Sequence, residues 1–381
     1  MSGGVISMRS AAWSERAAVV AIFLGNGVGI GAWAACIPAL KARLALSDGA
    51  LGLVLFAFAV GAVLLMQLAA RLTRRLGPAK ATRAAILLFG LALPLPALAP
   101  DFATLAVAAF AVGAANGLLD VTMNGYASDV ERRWGAAIMS SFHAAWSAGV
   151  FAGAALGGVL LVFGVSGTLG GAAALVAAFA ALAWTWLQDG DPSPQPAQAH
   201  LAPPVGALLP LCFAALLCMS CEGAMGDWVG VYLMETARTP QAMAPIGFAA
   251  FSATMVAGRL LGDNAVRAWG RARVVRWGAT LAAAGLALAV VDPRLGSATL
   301  GFALVGVGLS NIVPSLFSAA AGLAPVPAAG VAMVATAGYA GLLSGPVVIG
   351  AIAQGASLRL GIAFLILCLA VAAVTARSLR A

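Results

Sequence analysis

A chain of 381 residues that is 62% apolar and only 9% charged, with mean hydropathy +1.00, is excluded from the ordinary soluble domains, in which about a quarter of residues are charged. Its net charge of +8 and pI of 9.9 would suit a nucleic-acid binder, but the basic residues lie in short clusters between apolar runs instead of on one face. Nucleic acid is thereby excluded as a partner, and the expected surroundings are a lipid bilayer with the positive-inside bias.

Met1 to Arg16 carries Arg9 and Arg16 ahead of the first long apolar run with no A-x-A-like cleavage site, which predicts a retained first helix rather than a signal peptide. A crossing of roughly 30 Å needs about 20 apolar residues. On that measure the chain predicts an all-α integral membrane protein with twelve spans, at 17–40, 49–72, 82–98, 103–127, 136–163, 168–187, 208–234, 243–264, 277–291, 297–322, 329–354 and 360–377. With the N-terminus in the cytoplasm, Arg74, Arg75, Lys80, Arg83, Arg132, Arg133, Arg267, Arg271, Arg273, Arg276, Arg377 and Arg380 fall on the cytoplasmic side. Only Lys41, Arg43, Arg238, Arg294 and Arg359 fall outside, and the even count returns the C-terminus to the cytoplasm of a bacterial inner membrane. The cysteines Cys36, Cys212, Cys218, Cys221 and Cys368 sit in or beside apolar runs and read as small core hydrophobes, so no disulfide framework, metal or cofactor is expected.

Span four holds the polar residues around which the chain is organised. Asn116, Asp120 and Asn124 recur at i, i+4 and i+8 and form one polar stripe on an apolar helix. A charged turn, residues 128–133, leads to span five, where His143 and Trp146 share a face. Both Asp120 and His143 lie about 10 Å from that turn at ~1.5 Å per residue, hence at one depth. Ionisable groups at membrane depth are costly and commonly line a substrate or proton route. Asp120 is therefore the first candidate for proton coupling, a structural hydrogen bond being the alternative; His143 either exchanges a proton with it, holds it, or simply packs.

Gln188 to Pro204 is proline-rich and reads as a semi-rigid cytoplasmic tether, containing His200, over 188–207. It separates an N-terminal half, 1–187, from a C-terminal half, 208–381, of six spans each. The halves match at an offset of about 195 residues: Gly31-Ala-Trp33 with Gly226-Asp-Trp228, Asn116 with Asn311, and Gly135-Ala-Ala-Ile-Met with Gly330-Val-Ala-Met. Duplicated transporters place substrate near the midplane between repeats.

In span seven, Glu222 and Asp227 are five residues apart and point about 140° from each other. Glu222 is expected in the cavity as a second coupling carboxylate. Asp227 is expected to bond a neighbouring helix, toward the outer mouth. Asn26, Asn116, Asn124 and Asn311 could bind a polar solute, with Asp227 near them, and Trp33, Trp146, Trp228 and Tyr339 could stack on it. A membrane-interface belt is the competing reading for Trp33 and Trp228.

The loop after span eight, Gly258-Arg-Leu-Leu-Gly-Asp-Asn-Ala-Val-Arg-Ala-Trp-Gly-Arg-Ala-Arg273, resembles the Gly-x-Leu-x-Asp-Arg-x-Gly-Arg-Arg loop of the major facilitator superfamily. The loop after span two, Leu68 to Lys80, is a degenerate copy with Ala70 where an acidic residue belongs. The strings Gly-Leu-Leu-Asp-Val-Thr-Met-Asn, Ser-Phe-His-Ala-Ala-Trp-Ser and Glu-Gly-Ala-Met-Gly-Asp-Trp are similar to the small YbjJ-type bacterial facilitators, distant relatives of fucose permeases. The resemblance implies two pseudo-symmetric six-helix bundles, a cavity lined by spans 1, 4, 7 and 10, and a protonatable carboxylate on helix four.

It also implies a cytoplasmic gate, here Arg71, Arg74, Arg75, Asp263, Arg267 and Arg271, in which Asp263 bonds Arg267 and Arg271; a purely topogenic charge cluster is the other reading. The function implied is a monomeric, proton-coupled symporter of a small polar solute working by alternating access. The glycine strings Gly149-x-x-x-Gly153-x-x-x-Gly157 and Gly341-x-x-x-Gly345-Pro346 allow close helix contact, and in this superfamily such strings on helices five and eleven go with antiporters. Export of amphipathic compounds is therefore the alternative. No Walker loop or Gly-x-Ser-x-Gly is present, so neither ATP-driven transport nor an enzyme is expected.

Overall fold

The computed structural model describes residues 2–135, 138–187, 205–324 and 327–376. Among these, every regular element is helical. The first half holds α1 (Ser2–Arg43), α2 (Asp48–Leu76), α3 (Pro78–Ala92), the short α4 (Leu95–Leu98), α5 (Phe102–Trp134), α6 (Met139–Leu160) and α7 (Gly164–Trp184). The second holds α8 (Val205–Glu235), α9 (Ile246–Trp269), α10 (Arg271–Val291), α11 (Leu295–Leu309), α12 (Ile312–Leu323), α13 (Pro327–Gly355) and α14 (Leu358–Thr375). Most of the tether, with His200, and the cations Arg377 and Arg380 lie outside the described residues.

Eleven segments are long and apolar enough to cross a membrane, and the longest, Ser141–Trp184 at 44 residues, is twice what one crossing needs. It contains both α6 and α7, with Gly164 at φ 75° between them, a left-handed value that an L side chain would resist. Apolar side chains turn outward along these helices: Leu91, Leu98, Val107, Val159 and Val162 in the first half, Leu260, Leu300 and Leu367 in the second, are each more than half exposed. Such a surface would aggregate in water and is matched to lipid tails.

Local chemistry sets the helix limits. Asp101 caps α5, its Oδ1 accepting from Thr104 N at 2.9 Å while Asp101 N donates to Thr104 Oγ1 at 3.3 Å, a reciprocal capping box. At the other end, α5 runs through the expected charged turn to Trp134, so residues 128–133 are helical; Ser128 Oγ bonds the Asn124 carbonyl, Arg132 pairs with Asp129, and Gly135 in the left-handed region stops the helix. The span expected at 82–98 breaks after α3 because Pro94 and Pro96 lack the N–H that would continue it. Likewise the span at 297–322 is interrupted at Ser310–Asn311, where Pro314 cannot donate to the Ser310 carbonyl.

Two compact units emerge, one of residues 2–44 and 57–187, the other of 45–56 and 205–376. The segment 45–56, which the sequence groups with the first half, thus packs with the second unit. In the first unit, α1 and α6 run parallel with backbones almost touching. A Cβ on Gly31 would lie 2.2 Å from the Val150 carbonyl, and one on Gly153 would lie 2.2 Å from the Val28 carbonyl. The glycine string on α6 thus serves a contact inside the unit, with Gly27 and Gly31 of α1 supplying the facing smooth surface. In the second unit, α10 and α11 make the antiparallel equivalent through the pairs Gly278–Gly308 and Gly285–Gly301.

Candidate functional site

In the first unit the polar residues of α5 are divided between two partners. Asn26, on α1 and 2% exposed, donates from Nδ2 to Asn116 Oδ1 at 2.8 Å and accepts from Trp146 Nε1 at 2.7 Å. One buried amide therefore ties α1, α5 and α6 together, with its own orientation dictated by one donor and one acceptor. The close α1–α6 approach makes this possible, since Gly27 lies against the Trp146 carbonyl. One helical turn further along α5, Asp120 Oδ1 accepts from Asn124 Nδ2 at 3.0 Å, and the same amide reaches the Asp120 carbonyl at 2.8 Å. Among the described residues, Asn124 is the only hydrogen-bond partner of the Asp120 carboxylate, and no cation pairs with it. His143 is exposed, and its ring meets Phe23 edge to face with centroids 5.5 Å apart.

The second unit holds an ion pair. Glu222 Oε1 on α8 lies 3.2 Å from Arg259 Nη2 on α9, with the two side chains 28% and 32% exposed. Sequence reasoning missed Arg259 because it opens the loop motif after span eight. The signal was present: from Gln241 to Gly262 it is the sole charged residue in a segment apolar enough to cross a membrane. Asp227 has no hydrogen-bond or ionic partner among the described residues, so the expected bond to a neighbouring helix does not form. Asn311 sits at the α11–α12 break and gives its Nδ2 to the Gly258 carbonyl at 2.8 Å and to Ser310 Oγ at 2.9 Å. Its sequence match Asn116 holds a side chain instead, so the repeat positions are used differently.

The aromatic residues also divide. Trp33 is buried and stacks on Phe58, centroids 5.6 Å apart at 11°, while Trp228 is wholly buried with Nε1 unpartnered. Neither presents a ring face to a solute in this structure, nor does either sit in an exposed interface belt. Tyr339 is exposed, and Trp146 is half-buried with its indole committed to Asn26. Arg71, Arg74, Arg75 and Arg271 are exposed, and Arg267 donates to Asn264 one turn earlier; the side chain of Asp263 lies outside the described residues.

A second cluster that the sequence reading passed over gathers on Glu15. This carboxylate, buried in α1, accepts from Tyr126 Oη at 2.5 Å and pairs with Arg133. Beside it Arg16 lies over the rings of Trp13 and Trp134. Glu15 precedes the first apolar run and resembles ordinary flanking charge, so only its burial marks it. The cysteines are free and buried.

Comparison with known proteins follows the same lines. The model of the Major Facilitator Superfamily matches residues 18–333. An uncharacterized MFS-type transporter of Yersinia pestis is 37% identical over 372 residues, 96% of each chain. The membrane protein MosC of Rhizobium meliloti is 33% identical over 356 residues, 92% of this chain and 86% of that one. Among solved structures, a mutant of the nucleoside transporter NupG has TM-score 0.82 at 13% identity, covering 97% of this chain and all of that one, 100%. An inward-facing, occupied bacterial homologue of the human lysosomal transporter Spinster has TM-score 0.70 at 13% identity, covering 94% and 95%. At such identities these structures share the fold alone.

Proposed function

The chain belongs to the major facilitator superfamily and is a multi-pass bacterial membrane transporter, and from that premise we propose that it carries a small polar solute across the inner membrane by alternating access, in symport with protons. The observation that carries this reading is Asp120, a carboxylate at membrane depth whose one hydrogen-bond partner among the described residues is the amide of Asn124. With no cation beside it among the described residues, such a group is suited to gaining and losing a proton as its surroundings change. The Asn26–Asn116–Trp146 cluster supports the reading by supplying a rigid polar wall one turn away. Glu222 is the second coupling carboxylate, and Asn124 in the first unit and Asn311, Asp227 and Tyr339 in the second are further solute-contact candidates.

The same proposal has twelve crossings, α6 and α7 counting as two, arranged as two six-helix bundles joined by the 188–207 tether, with both termini cytoplasmic and the protein a monomer. Arg71, Arg74 and Arg75 with Asp263, Arg267 and Arg271 are the cytoplasmic gate. The runner-up is proton antiport exporting amphipathic compounds, favoured by the glycine contacts of α6 with α1 and of Gly341 with the Leu216 carbonyl on α8. Proteoliposomes with a pH dye inside separate the two: solute added outside drives protons inward for symport and outward for antiport. Solute movement without any proton flux would overturn both couplings.

A further inference from the structure

We propose that the corner formed by Trp13, Arg16 and Trp134 in the first unit is a binding site for the phosphodiester headgroup of a membrane phospholipid, a role separate from solute transport and from the ion that drives it. Three membrane-crossing segments have an end here: Trp13 opens Trp13–Arg43, Trp134 closes Phe102–Trp134, and Ser141 opens Ser141–Trp184. These ends touch one another, since the Trp13 and Trp134 rings are in contact and Arg16 reaches Ser141. The cluster therefore stands at the level where apolar spans end and headgroups begin.

Arg16 is half-buried, with its Cζ 5.4 Å from the Trp13 ring centroid and 5.1 Å from that of Trp134. The two rings meet edge to face, centroids 4.8 Å apart at 90°, so the guanidinium lies in the corner between perpendicular walls. Those walls attract its charge but offer no oxygen to its five N–H donors. Among the described residues one acceptor reaches it, Ser141 Oγ at 3.5 Å, a long contact, and that hydroxyl itself donates to the Ile138 carbonyl at 2.7 Å. No carboxylate pairs with Arg16 among the described residues.

The acids at this end of the unit are committed elsewhere. Glu15 takes Tyr126 and Arg133, and Asp129 takes Arg132. Glu131 accepts from the backbone N–H groups of Ile138 and Met139, at 2.7 and 2.6 Å, and so satisfies the start of α6. Arg132 and Arg133 thus each have a carboxylate, whereas Arg16 has two indoles in its place. A guanidinium with unused donors matches a phosphodiester, whose two free oxygens can accept from the planar fork in parallel. The indoles select the source of that phosphate. Trp13 is 59% exposed at the head of an apolar segment, an amphipathic ring where headgroup meets chain. A soluble anion would meet the charge alone, while a phospholipid brings the phosphate for Arg16 and apolar surface for Trp13.

The test is thermal unfolding of the purified full chain in detergent with added dioleoyl phosphatidylglycerol, against a galactosyl diacylglycerol of the same chains, which lacks the phosphate, and against inorganic phosphate. The wild type is expected to gain more from the phospholipid than from the galactolipid, and nothing from inorganic phosphate at the same concentration. Arg16→Gln should need ~10-fold more phospholipid for the same gain, and Arg16→Lys, which keeps the charge without the fork, should fall between. Arg132→Gln removes a cation already paired with Asp129 and should keep the wild-type response. Should Arg16→Gln fail to fold, Trp13→Leu, at an exposed position, takes its place and should lose part of the phospholipid excess while its gain from the galactolipid stays the same. Equal gains from the two lipids, or an unchanged phospholipid response in the variant tested, would overturn the proposal. An equal loss in Arg132→Gln would replace the site by diffuse charge attraction, and an equal gain from inorganic phosphate would replace the lipid by a soluble anion. A melting temperature lowered by Arg16→Gln to the same extent with and without phospholipid would reduce the corner to a clasp between α1 and α5.

Discussion

Asn26 Nδ2 lies 2.8 Å from Asn116 Oδ1, joining residues 90 positions apart on α1 and α5, and the other end of the same amide takes the Trp146 indole N–H. In a helix bundle surrounded by lipid there is no hydrophobic force between helices, so packing and interhelical hydrogen bonds of this kind set which helices pair.

Replacing Asn26 by Leu should therefore destabilise the protein by more than one lost contact. The Asn116 carbonyl and the Trp146 N–H, both partly buried, would be left without these partners, at up to about 1–3 kcal/mol each. The double change Asn26→Leu/Asn116→Leu removes one orphan and should recover part of the loss. Thermal unfolding in detergent reads both, and equal melting temperatures for wild type and Asn26→Leu would contradict the role given to this amide.

The contact between α1 and α6 predicts a sharp contrast between glycines. A Cβ at Gly153 would lie 2.2 Å from the Val28 carbonyl, whereas one at Gly170, on α7, meets nothing within 4 Å. Gly153→Ala must push two helices apart, which costs the cluster on Asn26 as well. Gly170→Ala only removes backbone freedom from the unfolded chain and should be neutral or stabilising by up to ~1 kcal/mol. The yield and melting temperature of the two variants check this directly.

The apolar spans were legible because bilayer thickness imposes a length on every crossing, and their interruptions at Pro94 and Pro314 follow from a missing N–H that a hydropathy count ignores. The stripe Asn116, Asp120, Asn124 was legible as a periodicity. What it bonds to was not: the choice of Asn26 for Asn116 and of Asn124 for Asp120 depends on helix rotation and on contacts 90 residues away. Arg259 was hidden by the loop motif it begins, although its isolation in an apolar run carried the same information as that of Asp120. Trp33 and Trp228, matched across the repeat, are both buried in this structure, which the sequence does not show, since an aromatic run position looks alike whether it faces a cavity, lipid or a neighbour. Asp227 offers the converse case, a polar side chain with no helix partner among the described residues.

Asp101 gives a pH prediction outside the membrane spans. The backbone N–H of Thr104, then its hydroxyl, hold this carboxylate below its ordinary value of 3.8. A depressed value in the folded state means that its contribution is fully present above the unfolded value and is lost as pH falls through the folded one. Hydrogen exchange at the first turn of α5 should therefore be slower in wild type than in Asp101→Ala at neutral pH. The difference should shrink once the pH drops below about 4. A difference that persists unchanged at pH ~2 would mean that the capping charge contributes nothing.

Coupling is the last and most consequential prediction, and it concerns Asp120. The Asn124 amide donates both to the Asp120 carboxylate and to its main-chain carbonyl, so an asparagine at position 120 can accept the same bond from the same donor with no change of shape. Asp120→Asn should accordingly fold, bind solute and exchange it across the membrane, because the amide imitates the neutral form of the carboxyl group. Accumulation against a gradient should be abolished, since an amide cannot cycle between charged and neutral forms. Asn124→Leu removes the donor and leaves the carboxylate, so it should retain coupling while shifting the pH at which transport is half-maximal. His143→Gln is expected to shift that midpoint less, its ring being packed edge to face on Phe23 and exposed. Counterflow and pH-driven uptake in proteoliposomes measure the two activities separately. Full pH-driven accumulation by the Asp120→Asn protein would remove Asp120 from the mechanism and make Glu222, paired with Arg259, the next carboxylate to test.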